Sequence, residues 1–123
     1  LGTGGASQAV DYGLKQLGLE TIKVSRFERP DTIQYEKITP EIVREYSVIV
    51  NCTPIGMYPN TEEYPQLPYE AMDNRTLLYD LIYNPDKTMF MKLGEKQGAV
   101  VKNGLEMLLL QAYASWEFWH EDE

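Results

Sequence analysis

The first seven residues, Leu1-Gly2-Thr3-Gly4-Gly5-Ala6-Ser7, restrict what this chain can fold into more than any other stretch. Three glycines and two small residues separate one apolar residue from a helical pattern that begins near Gln8, so it is backbone that must face whatever lies there. Without a Cβ, Gly2 and Gly4 can turn sharply and bring main-chain N–H groups up to an anion, and the helix that follows points its positive end at the same place. The functional reading is a phosphate-binding turn, and the structural one is a plain strand-to-helix turn. The spacing G-x-G-x-x-S approximates the dinucleotide fingerprint without matching it, so the loop does not decide between them.

A chain of 123 residues fits one domain with a single core. Its 19 acidic residues against 11 basic ones give a formal charge of −8, and the run Glu121-Asp122-Glu123 adds to a surface that repels polyanions, which argues against a nucleic-acid partner. The one cysteine, Cys52, has no partner for an internal disulfide, and no apolar run is long enough to cross a bilayer. The expected compartment is the cytoplasm, with no membrane partner and no metal site. The chain opens on the loop itself, whereas such a loop follows a buried strand of about five residues. Leu1 is therefore expected to be the last residue of a first strand that is missing or truncated.

Downstream, Ala9, Val10, Leu14 and Leu17 recur at helical spacing and Gly18 stands at the C′ position. Thr21–Ser25 reads as a strand, Thr32–Tyr35 as a short edge strand, and Thr39-Pro40 as a cap and first residue of a helix through Tyr46. Val48–Cys52 is a continuous apolar run, as in a parallel strand buried on both faces. Residues 58–68, with Pro59, Pro65 and Pro68, read as a surface excursion. A strand over Thr76–Ile82, a helix capped by Thr88 and ended by Gly98, a strand at Ala99–Val101 and a long apolar helix from Leu105 to Trp119 complete the pattern. This alternation predicts an α/β fold, a doubly wound parallel sheet of Rossmann type. Right-handed crossovers would gather Gly2–Ser7, Ser25-Arg26, Thr53-Pro54, Leu81–Tyr83 and Gly104 at one crevice. The missing strand would lie between Thr21–Ser25 and Val48–Cys52, a gap to be filled by a segment outside this chain or by a second copy in a homodimer.

The end of the second strand bears on the cofactor. An acid about 20 residues past the glycines selects NAD through the ribose 2′-OH, whereas Arg accommodates a 2′-phosphate. Here the position holds Ser25-Arg26, with Arg29 close behind, so NADP is the expected cofactor. On their own, Arg26 and Arg29 also fit as solvated surface charges. Asn51 and Asp80, polar residues at the ends of apolar strands, read as groups that satisfy neighbouring backbone. His120, in a polar tail without a partner acid, is assigned no role.

Taken together, four blocks resemble the C-terminal, cofactor-binding domain of the shikimate dehydrogenase family. They are Gly2-Thr3-Gly4-Gly5-Ala6-Ser7, Ser25-Arg26, Asn51-Cys52-Thr53-Pro54-Ile55-Gly56-Met57, and Asp80-Leu81-Ile82-Tyr83-Asn84-Pro85 with Thr88, leading to Asn103-Gly104-Leu105-Glu106-Met107-Leu108 and Gln111-Ala112. The resemblance implies that residues 1–123 are a dinucleotide-binding domain. By the same likeness, Gly2, Gly4, Gly5 and Ala6 would hold the pyrophosphate, and Ser25 and Arg26 the adenosine 2′-phosphate. Thr53 would lie along the cofactor, Leu81 and Gly104 would touch its nicotinamide half by backbone, and Met107 would pack on the ring. Tyr83 and Gln111 would reach the substrate.

The bland readings of these side chains are a core methionine, a strand-end aromatic and an exposed helix residue. In the family the catalytic Lys and Asp belong to an N-terminal domain absent from this chain, and no lysine here stands in a replacing motif, so no catalytic residue is assigned. The implied reaction is reduction of 3-dehydroshikimate to shikimate by NADPH, in aromatic amino-acid (chorismate) biosynthesis. A quinate-oxidising branch and a non-catalytic nucleotide-binding module of the same fold are the alternatives.

Overall fold

A computed structural model describes residues 1–82 and 84–104, so the expected helix from Leu105 and the expected site residues Tyr83, Met107 and Gln111 lie outside the described residues. Helix α1 spans Gly5–Gln16 and begins inside the glycine loop, three residues before the apolar periodicity shows it. It closes with a Schellman turn: Gly18 at φ +79° donates to Lys15 O at 2.9 Å, and Leu19 donates to Leu14 O at 3.1 Å. Strands β1 (Lys23–Ser25) and β2 (Thr32–Gln34) follow, then helix α2 (Pro40–Glu45), whose cap Thr39 accepts from Ile42 N at 3.3 Å. The series continues with β3 (Val48–Asn51), β4 (Leu77–Asp80), α3 (Met89–Lys96) and β5 (Val100–Asn103).

All strand pairs are parallel, β1 beside β2 in one group and β3-β4-β5 in the other. Leu1 and Gly2 lie between the groups. Leu1 N donates to Val50 O at 2.6 Å, Cys52 N donates to Leu1 O at 3.0 Å, and Gly2 N donates to Val24 O at 2.8 Å. The expected strand order is therefore the observed one, with two residues holding the central position. Behind them a cavity of about 340 Å³ opens between the groups, lined by Leu14, Val24, Ile33, Val43, Ile49 and Val50 among others.

Successive side chains of β4 point to opposite faces, and each face finds its own core. Leu78 packs with Val43, Phe90, Met91 and Ala99 under α2 and α3, whereas Tyr79 packs with Val50 and with Val10 of α1. Helices thus cover both faces, as a doubly wound sheet requires. Two expectations need correction. β3 is buried only toward its C-terminal end: Val48 at its start, paired with Leu77 of β4, is 43% exposed. The proline-rich excursion is not wholly at the surface: Pro65 is fully buried, and its carbonyl accepts from Tyr69 Oη at 2.7 Å.

Candidate functional site

The C-terminal ends of the parallel strands form one edge of the molecule, and the glycine loop rises there from Gly2. Gly2 adopts φ +101°, and a Cβ on it would sit 3.1 Å from Thr53 Cγ2 and 3.5 Å from the Cys52 carbonyl. Only glycine lets the chain turn this close to the end of β3. Ser7 Oγ donates to Gly2 O at 2.6 Å and locks the loop to the first turn of α1.

The start of α1 is uncapped. Its cap residue is Gly4, no side chain caps it, and its first turn holds no acid. The first intrahelical bond is Gln8 N to Gly4 O at 3.1 Å, so the amides of Gly5, Ala6 and Ser7 make no bond within the helix. A Cβ at Gly4 or Gly5 would meet nothing within 4 Å, so the turn is open on that side.

At the end of β1, Ser25 is buried and its Oγ accepts from Phe27 N at 3.1 Å, which leaves the hydroxyl proton to donate elsewhere. Arg26 is exposed, and its guanidinium lies over the Phe27 ring, 5.9 Å from the centroid. The contact is a surface cation–π one, at the outer limit of the distance for such pairs.

Beyond β3 and β4 the loops are bound by buried side chains. Asn51, Asp80 and Thr88 are each 0% exposed. Asp80 accepts from Asn51 Nδ2 at 3.3 Å to each oxygen, from Ile82 N at 2.9 Å and from Thr88 Oγ1 at 2.7 Å. Asn51 Oδ1 accepts in turn from Thr53 N at 3.1 Å and Thr53 Oγ1 at 2.6 Å. Burial pushes the Asp80 carboxyl above the usual carboxylate range, partly offset by the bonds from Thr88, Ile82 and Asn51. Cys52, half-buried beside Leu1, has its thiol pushed up by burial, so it is no activated nucleophile.

A groove of about 390 Å³ runs along this edge, with Ala6, Thr53, Pro54, Met57, Leu81 and Ile82 among its lining residues. The structure thus brings Ala6, Thr53 and Leu81 together. Ser25 and Gly104 do not line the groove: Ser25 ends β1, and Gly104 follows β5, its N donating to Asp80 O at 2.9 Å. Tyr58 and Asn84 line it as well; Met57 and Asn84 stand in the family-like blocks without an assigned role, and Tyr58 is marked only by following Met57. Among the described residues no cluster of His, Cys, Asp and Glu is placed to hold a metal, and no helix is long and apolar enough to cross a membrane.

No protein-family model matches the chain. Among curated proteins it is similar to the shikimate dehydrogenase (NADP(+)) of Crocosphaera subtropica, with 39% identity over 97% of this chain and 48% of that protein. The solved structure of a chorismate mutase/shikimate 5-dehydrogenase fusion protein from Clostridium acetobutylicum superposes with a TM-score of 0.69 at 37% identity, over 98% of this chain and 45% of the other. The shikimate 5-dehydrogenase of Thermus thermophilus, solved with NADP(H) and shikimate, gives 0.69 at 28% identity over 94% of this chain and 46% of the other. The chain spans about half the length of the curated relatives it matches. Over nearly its whole length the chain is thus similar to about half of a shikimate dehydrogenase (NADP(+)).

Proposed function

We propose that residues 1–123 are the NADP-binding domain of a shikimate dehydrogenase, and that the whole protein interconverts 3-dehydroshikimate and shikimate. The observation that carries the reading is the uncapped glycine start of α1, with its unbonded amides and no acid in the first turn, beside Ser25-Arg26 at the same sheet edge. The amides of the Gly4-Gly5-Ala6 turn suit a pyrophosphate, and Gly2 lets the loop pass over Thr53. Arg26 and Ser25 suit the 2′-phosphate that distinguishes NADP, the first as a planar cation and the second as a neutral donor.

Thr53, Leu81 and Gly104 then follow the cofactor toward its nicotinamide end, with Met107 on the ring and Tyr83 and Gln111 toward the substrate. When bound, NADPH supplies a hydride to a carbonyl carbon. This chain's own residues orient the dinucleotide, and the acid–base residues belong to the rest of the protein. The compartment is the cytoplasm, and a homodimer is the expected assembly.

The test is Arg26→Ala in the whole protein. Loss of a charge-assisted phosphate contact costs about 1.5–3 kcal/mol, so NADP+ binding should weaken roughly tenfold or more while NAD+ binding stays nearly unchanged. Equal losses for the two cofactors, or no reduced-cofactor signal from the wild type with shikimate, would sink the reading.

A further inference from the structure

We infer that Asp80 is a positioning residue for the cofactor: it acts through Asn51, Ile82 and Thr88 to hold the loops after β3 and β4 in one arrangement. The inference rests on the cofactor reading above. Each residue proposed to follow the cofactor toward its nicotinamide end, among those described, is tied to Asp80 or its partner Asn51. Thr53 is held twice by Asn51 Oδ1, through its N and its Oγ1. Leu81 N donates to Asn51 O at 3.2 Å, and the next amide, Ile82 N, returns to Asp80 Oδ1. Gly104 N donates to the Asp80 carbonyl. A shift of this one residue would move the ends of three strands together.

The polarity of the network requires an acid at this place. An ionised carboxylate only accepts, and here it faces only donors: an amide NH₂, a hydroxyl and a backbone N–H. Because the Asn51 NH₂ is drawn to Asp80, and to Ile55 O at 3.3 Å, its oxygen is left pointing at Thr53. The acid thereby fixes which way the amide of Asn51 is turned, and with it the position of Thr53, whose Oγ1 also accepts from Ile55 N at 3.2 Å.

Capping α3 does not account for the arrangement. Thr88 caps that helix with its own Oγ1, accepting from Met91 N at 3.3 Å, and Thr39 caps α2 with no bond to a buried acid. A buried carboxylate is costly unless its partners satisfy it, so its presence in a place where a cap alone would serve points to the loops it orders.

The experiment uses the whole protein and reads NADP+ affinity, thermal stability and, without cofactor, hydrogen exchange at the amides of Thr53 and Ile82. Asn51→Asp sets two carboxylates face to face and should raise the Kd for NADP+ about tenfold or more; Asp80→Asn, which turns an amide NH₂ toward Ile82 N or Thr88 Oγ1, should weaken binding as well. Asp80→Ala should speed exchange at both amides. A folded Asn51→Asp or Asp80→Asn protein that binds NADP+ like the wild type overturns the inference.

Should Asn51→Asp not fold, Thr88→Val should weaken NADP+ binding and Thr88→Ser should restore it, and equal affinities overturn the inference. A wild type that does not bind NADP+ counts against the proposed function instead. Exchange still decides the positioning role in that event: unchanged protection at Thr53 in Asp80→Ala would end it.

Discussion

Strands β3, β4 and β5 are joined in four paired positions at each interface and have a core on either face, whereas β1 and β2 share three. The smaller group meets the larger through Leu1, Gly2 and α1, with a cavity behind the junction. The proposed cofactor would lie across both. On the firm side, Asp80 and Asn51 fix loop positions by buried hydrogen bonds; on the other, an exposed Arg26 offers charge at the surface beside a buried Ser25. The difference teaches that the two tasks of such a site need different supports. Orienting a flat ring calls for loops with one arrangement, while selecting a phosphate calls for an accessible cation whose own surroundings need not be tight.

The largest test of the contrast is truncation in each group. Phe90 is 0% exposed in the core beneath β4, so Phe90→Ala should cost about 3–5 kcal/mol. Ile33 on β2 is half-buried and already lines the cavity, so Ile33→Ala removes few contacts and should cost about 1 kcal/mol. Urea midpoints of the two variants measure the difference, and equal costs would show that the two groups are equally well packed.

A smaller effect differs in sign. Gly94 in α3 faces Leu78, and an added Cβ there would collide with that buried side chain, lying 3.2 Å from its Cγ and 3.6 Å from Ala99 Cβ. Gly94→Ala should therefore destabilise by about 1–3 kcal/mol in spite of alanine's better helix propensity. Gly13 in α1 meets nothing within 4 Å, so the same change there should stabilise by roughly 0.5–1 kcal/mol through propensity alone. Thermal melts decide it, and a destabilised Gly13→Ala protein would show that α1 packs more tightly than the contrast allows.

Much of this was legible in the sequence because local signals and tertiary demands agree. Apolar runs ended by polar residues marked the parallel strands, Thr39 and Thr88 marked helix starts, and the strand order followed from placing the glycine loop after a central strand. The start of α1 was misplaced because glycines have low helix propensity and carry no apolar periodicity, yet helical backbone with free amides is what an anion site uses. The role of Asp80 was legible only as a polar strand end. Its partners Asn51 and Thr88 stand 29 and 8 residues away, and no spacing rule joins them. Likewise the exposure of Val48 cannot be read from an apolar run, because β propensity does not say which end of a strand is covered.

The smallest effect compares two aspartates. Asp11 on α1 accepts from Thr21 Oγ1 and pairs with Lys15 Nζ at 3.1 Å and Lys23 Nζ at 3.9 Å, tying α1 to the approach of β1. The Thr21 bond first, and then the two lysines, hold its carboxyl below the usual range, whereas burial holds that of Asp80 above it. The linkages have opposite signs. For Asp11, whose folded value is depressed, the stabilisation is present above the unfolded value of about 3.9 and is lost as pH falls through the folded one. For Asp80, whose folded value is raised, the contribution is full below about 3.9 and is lost as pH rises through the folded one. Asp11→Asn should therefore cost less than about 1 kcal/mol near neutral pH, less still in high salt, and the difference from wild type should shrink as pH falls below about 3.9. Urea midpoints of the two proteins across that range measure it, and a difference that stays constant down to pH ~3 would mean that the carboxylate is not what ties α1 to β1.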